Sequence, residues 1–379
     1  MTSILTYQPF KGIYALLAIG FELTRMPIWV VKYITTYGRQ HPKWSFRQAI
    51  GIRFLYSFLH HSSIVQAYEP LPLTPGAEKE RFITIPPASA KLYKGPLVHD
   101  DVKPATIGAT WYPAPLTSTS DKSSLTVILH MHGGAFVAGD GRTATAGYLA
   151  NKFLKHGGIT HVLLPQYRLS ILPASKTSNP FPAALQDTLT SYLYLLNDLK
   201  IPASNIIVSG DSAGGNLTLA LLRYLSQYGS DLNIPAPGGA WLWSPWVQPS
   251  EGLDTDTILR NPNFNTDYLP PSFITWGAKA YAGLAGPSSL SSPYISHLGH
   301  PFATPTPVYL NTGGAEVLCG DDVQCGQEMK EVAGNRVVVD VEEAVPHDIV
   351  LTGQFNAFHD EAAHCVKRAG EWWKGVKAA

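Results

Sequence analysis

The chain has 379 residues, with 28 Lys and Arg balanced by 28 Asp and Glu. No basic run or alternation of basic and aromatic residues occurs, which argues against nucleic-acid binding. The three cysteines, Cys319, Cys325 and Cys365, are too few and too scattered for a disulfide framework or a zinc site, so reduced, intracellular conditions, most simply cytoplasmic, are expected. Charged residues make up only 15% against 45% hydrophobic, a balance that fits large apolar faces, a membrane-facing surface, or nothing functional.

Residues 1–75 read as an N-terminal helical segment and linker. The apolar run Ile13–Phe21 is continued by Pro27–Val31 but interrupted by Glu22 and Arg25. A spanning helix needs about 20 predominantly apolar residues, which makes this a weak candidate. A cleaved signal peptide fits poorly, since a charged start and a small-residue cleavage site are missing. A cap helix folded over the active site is the preferred expectation. Peripheral membrane contact through the N-terminal helix stays open as the other. Ser45 is placed to cap a helix running to about Ile64.

Strands are expected near Arg81–Ile85, Thr106–Trp111, Leu125–Met131, His161–Leu164 and Ile206–Ser209. Three more are expected near Gly239–Trp243, Pro307–Asn311 and Val337–Val341. They alternate with helical stretches such as Ala183–Leu199, the pattern of a mostly parallel α/β sheet covered on both faces. The Pro- and Gly-rich stretch from about 246 to 301 breaks the alternation. It divides the core into 76–245 and 302–379.

Two motifs carry chemistry. Ile206-Ile207-Val208 runs into Gly210-Asp211-Ser212-Ala213-Gly214, and a helical stretch follows. A buried strand entering G-x-S-x-G exposes a serine nucleophile on a sharp turn. Upstream, His130-Met131 leads into His132-Gly133-Gly134-Ala135. Small residues there let backbone N–H groups approach a developing oxyanion, with Gly133, Gly134 and the amide of Ala213 as donors and Ala135 as a further candidate. His132 is expected to hold this loop and not to act as a base. Ala135 adds a Cβ and narrows the pocket.

With both motifs in this order, residues 80 to 365 resemble the hormone-sensitive-lipase-like family of α/β-hydrolases, a group of esterases and deacetylases. Tyr167-Arg168-Leu169 and Ser292-Pro293-Tyr294 agree with it. The resemblance implies an eight-stranded α/β-hydrolase fold with a helical cap, built from residues 1–75 and the insertion 246–301. It implies a catalytic order of serine, acid, histidine, and no metal or organic cofactor. The acid position holds Glu316 where the family usually carries Asp; Asp321 and Asp322 are the alternatives. His347 follows the last strand, 31 positions after Glu316 (347 − 316). The implied activity is cleavage of carboxylic esters of small or medium apolar molecules. Acyl transfer, condensation or cyclisation in a biosynthetic (secondary) pathway is an alternative, and a non-catalytic small-molecule binder a third. The aromatic group Trp241, Trp243, Trp246, Phe264, Tyr268, Phe273, Trp276 and Tyr281 either lines a pocket or, the preferred reading, seals cap to core. Asn216-Leu217-Thr218 falls in the nucleophile helix, where a glycan does not fit. Cys319 is expected as a buried small hydrophobe.

Overall fold

A computed structural model describes residues 3–116, 121–122 and 124–378. Its centre is an eight-stranded sheet in the order β1-β2-β4-β3-β5-β6-β7-β8. The strands are β1 (Phe82–Ile85), β2 (Ile107–Tyr112), β3 (Val127–Met131), β4 (His161–Gln166), β5 (Ile206–Asp211), β6 (Gly239–Trp243), β7 (Val308–Gly313) and β8 (Val337–Glu342). β2 is antiparallel to both β1 and β4, and all other pairs are parallel. Every residue of β3, β5, β6 and β7 is buried. Helices covering both faces explain why these strands read as unbroken apolar runs and not as alternations.

The helices are α1 (Phe10–Ile34), α2 (Phe46–Ile64), α3 (Thr143–His156), α4 (Ala183–Leu193), α5 (Ala213–Leu232), α6 (Thr255–Arg260), α7 (Pro271–Ala282), α8 (Cys319–Glu331), α9 (Ile349–Asn356) and α10 (His359–Ala378). α4 and α5 pack together against the central strands, whereas α3, α9 and α10 form a second group. The insertion after β6 carries α6 and α7. The expected helical stretch Ala183–Leu199 is helical as far as Asp198, but beyond Leu193 it widens into one π turn, Tyr194–Asp198, closed by Leu199 N–H donating to Tyr194 O at 3.1 Å. β4 runs two residues past its expected end because β2 pairs with it as far as Gln166.

Before the core, α1 and α2 form an antiparallel hairpin. α2 begins with a reciprocal cap: Gln48 N–H donates to Ser45 Oγ (3.2 Å) and Ser45 N–H to Gln48 Oε1 (2.7 Å). α2 packs on α7 of the insertion and on α9. Its tie to the core includes the Trp44 indole donating to Ala344 O at 2.6 Å.

Candidate active site

Ser212 sits between β5 and α5 with φ 51° and ψ −118°, a conformation strained for any residue with a Cβ. The turn is held by Ser212 N–H donating to Trp243 O (2.9 Å) and Trp246 N–H donating to Ser212 O (2.9 Å). Gly214 permits it, because a side chain there would run into the carbonyls of Met131 and His132. The serine thus stands at the N-terminus of a 20-residue helix, whose dipole favours negative charge nearby.

Glu316 and His347 come together as the motif order implies. His347 Nδ1 lies 2.7 Å from Glu316 Oε2, with both side chains buried. Donation from Nδ1 leaves Nε2 as the basic nitrogen. Burial lowers the basicity of the ring, but the bond and charge of Glu316 outweigh it, so His347 titrates above its usual range. The other Glu316 oxygen accepts from Gly313 N–H at 2.9 Å and from the Thr312 hydroxyl. Among the described residues no hydrogen bond joins Ser212 Oγ to His347. Such contacts are often long in a free enzyme and tighten with substrate.

Neither alternative acid faces the histidine. Asp322 stands behind Glu316, its Oδ2 lying 2.8 Å from Thr312 Oγ1. Burial, reinforced by the Glu316 charge, pushes its carboxyl well above the ordinary range. Asp321 is partly buried with its carboxyl pushed up to about 6 by burial and by Glu251.

The oxyanion expectation needs one correction. Gly133 N–H is already committed, donating to Asp211 Oδ2 at 2.8 Å. Among the described residues, the amides of Gly134, Ala135 and Ala213 donate no backbone hydrogen bond, and these three are the available donors. Gly134, Ala135 and Phe136 all have positive φ (105°, 51° and 64°), which turns the loop sharply over the serine. His132 stacks on Tyr167 at 4.1 Å between ring centroids, with its Nδ1 2.7 Å from Gly133 O, a loop-holding position.

Three aspartates that the motif reading did not single out tie these loops together. Asp211 accepts from Gly133 N–H and lies 2.8 Å from His130 Nε2. Burial opposes its charge, but the bond and charge of His130 prevail and hold the carboxyl below its usual value. Asp348 bonds to Asp211; burial first, then the Asp211 charge, raises it well above the carboxylate range, so it keeps the shared proton. This bond makes neighbours of the residue before Ser212 and the residue after His347. Asp267, from the insertion, accepts from Val317 N–H (2.8 Å) and from His347 N–H (3.3 Å). Burial chiefly pushes Asp267 up to about 6.

A narrow cleft over Ser212 is lined by Ala135, Trp246, Leu269, Phe273, Ile274 and Leu318. Its free space is about 10 Å³, room for roughly one water. Phe273 and Ile274 of α7 form part of its wall. Ala135 packs directly on α7, where only a glycine, Gly277, leaves space for it. The aromatic group divides: Trp241 and Trp243 are wholly inside the sheet core, while Trp246 and Phe273 reach the cleft. Asn216 is fully buried and donates to Trp246 O and Ile295 O. Cys319 is partly exposed at the start of α8 and not buried as expected.

The family model for the alpha/beta hydrolase fold matches residues 128–351. The chain therefore belongs to that family, in its hormone-sensitive-lipase-like branch. An esterase of Acinetobacter venetianus is 28% identical over 239 residues, 62% of this chain and 68% of that protein. An acetyl-hydrolase of Streptomyces hygroscopicus is 28% identical over 212 residues, 55% of this chain and 63% of the relative. Human hormone-sensitive lipase is 29% identical over 177 residues, covering 45% of this chain and 14% of the lipase. The first curated relatives are matched over 56% to 68% of their own length. Among solved structures, an esterase from the bacterial hormone-sensitive lipase family shares the fold, with a TM-score of 0.60 at 22% identity. It covers 88% of this chain and 99% of its own.

Proposed function

We propose that this chain is a serine hydrolase that cleaves carboxylic esters of small or medium apolar molecules through an acyl-enzyme on Ser212. The observation that carries the reading is the 2.7 Å pairing of His347 Nδ1 with Glu316, beside a serine held at a strained strand-to-helix turn. Relatives named esterase and acetyl-hydrolase support it.

In this mechanism Ser212 Oγ attacks the ester carbonyl while His347 Nε2 takes its proton. Glu316 fixes the tautomer and stabilises the imidazolium. The carbonyl oxygen becomes negative against the amides of Gly134, Ala135 and Ala213. Loss of one such donor typically costs about 3 kcal/mol in the barrier. The tetrahedral intermediate collapses, and the C–O bond to the alcohol breaks as His347 returns its proton to the leaving oxygen. Water, deprotonated by the same histidine, then releases the acid. The apolar cleft walls favour a small hydrophobic acyl or alcohol group over a charged one.

A fluorophosphonate probe should label the protein at Ser212 and leave Ser212→Ala unlabelled. No labelling, or equal labelling of both proteins, would defeat the proposal. Product analysis with an added alcohol acceptor gives free acid if hydrolysis is the reaction, and a new ester if transfer is.

A further inference from the structure

Helix α1 is built inside out for a protein in water. The positions nearest α2 recur every three or four residues as Tyr14, Ala18, Glu22, Arg25, Trp29 and Tyr33, one stripe of the helix. That stripe carries most of the polar groups, and Tyr14, Glu22 and Arg25 find partners within the hairpin, whereas the Trp29 indole N–H does not. Tyr14 Oη lies 2.8 Å from His61 Nδ1, Arg25 pairs with Glu22 at 3.1 Å, and Glu22 lies 3.3 Å from His61 Nε2. Arg53 of α2 stands over the Trp29 ring at 4.5 Å. The remaining arc is bare and, apart from Thr24, whose hydroxyl donates to Phe21 O, apolar: Leu16, Leu17, Ile28 and Val31 are 73%, 69%, 62% and 72% exposed.

A surface helix of a water-soluble protein turns its apolar stripe inward and its charges out. Charges turned inward and paired, with hydrocarbon outward over a wide arc, suit a lipid surrounding. The length agrees. Twenty-five residues with a mean hydropathy of 1.4 over the most apolar stretch make a rod of about 37 Å.

The hairpin's fastening decides how it meets lipid. Lys11 Nζ donates to Gln66 O at 3.4 Å at one end; at the other, Arg39 joins Tyr33 O and Ile34 O of α1 (both 3.0 Å) to Trp44 O just before α2 (2.8 Å). α1 is thus held along α2, which is held to the core, so the helix lies along the domain and does not stand away from it. Between the two helices an apolar groove of about 600 Å³ extends the bare surface to Phe54 and Phe58 of α2. Exposed Lys32 and Tyr37, near and just past the end of α1, supply a cation and an amphipathic ring of the kind that sit at headgroup level. A second copy of the chain pressed against α1 would cover one side of so wide an arc and leave the rest wet.

We infer that α1, with the Phe54–Phe58 face of α2, is a monotopic anchor that enters the acyl layer of a phospholipid bilayer from the side. This inference is independent of the esterase reading. The test is flotation of the full chain, purified in mild detergent, with neutral phosphatidylcholine vesicles. The wild type should float at both low and molar salt. Combined Leu16→Glu, Leu17→Glu, Ile28→Glu and Val31→Glu should lower partitioning by about tenfold or more, with an unchanged circular dichroism spectrum. Leu284→Glu, at an exposed apolar residue outside the hairpin, should float as the wild type does. Should the fourfold variant misfold, a polarity-sensitive fluorophore on Leu17→Cys must shift to the blue when vesicles are added. A wild type that stays unbound as a detergent-free monomer or a stable dimer, a fourfold variant that still floats, or an unshifted fluorophore would overturn the inference.

Discussion

The carboxyl end of the sheet and the N-terminal hairpin both place ionisable side chains beside apolar ones, with opposite geometry. At the sheet, Asp211, Asp267, Glu316, Asp322, His347 and Asp348 converge from separate segments and are at most 3% exposed, enclosed on every side by the core. In the hairpin, Glu22 and Arg25 share a single seam, with side chains 23% and 28% exposed and a bare apolar surface behind them. Enclosure on all sides makes each charge depend wholly on its protein partners. A seam leaves water within reach. The two regions should therefore answer differently to the same kind of substitution.

The largest effect is expected at Glu316. Glu316→Gln removes the group that fixes the histidine tautomer, and kcat should fall by about 10⁴-fold. The same variant reports on the titration of His347. Catalysis needs the neutral ring, so kcat/KM of the wild type should fall as pH drops through the raised His347 value, above 6.5. Without Glu316 the largest raising contributions go, leaving burial opposed only by the charges of Asp267 and Asp211, and the acid limb should move to lower pH. A limb that stays put would deny His347 the role of base. Next, Asp211→Asn strips the charge that faces His130 and Gly133, and urea unfolding should show a loss of about 3–5 kcal/mol. The smallest effect belongs to the seam: Glu22→Gln should cost about 1 kcal/mol or less. Equal losses for Asp211→Asn and Glu22→Gln would erase the contrast drawn here.

Much of this was legible in the amino-acid order because it is encoded locally. The central strands announce themselves as β-branched apolar runs, and Ser45 and Gln48 spell a helix start three residues apart. Ser212 is marked by its flanking glycines, and His347 by its place after the last strand. Hidden from such reading are contacts between residues far apart in the chain. Nothing near Asp267 signals that it meets the amides of Val317 and His347, 50 and 80 positions away. Gly133 looked like an oxyanion donor because small residues invite that reading, yet its amide is taken by Asp211, 78 positions on. The orientation of α1 was equally hidden. An apolar run with Glu22 and Arg25 inside it looks interrupted in one dimension, whereas on the helix both residues fall on the seam with α2.

The bonds of Asp267 change what the insertion after β6 is for. A segment that only roofed the cleft could be trimmed or exchanged to admit bulkier esters. This one grips the backbone of both the acid turn and the histidine turn, so it works as a clamp as well as a cover. Shortening it would loosen the imidazole before it widened the entrance. Any transplant of a foreign insertion would have to bring a carboxylate to the same two amides.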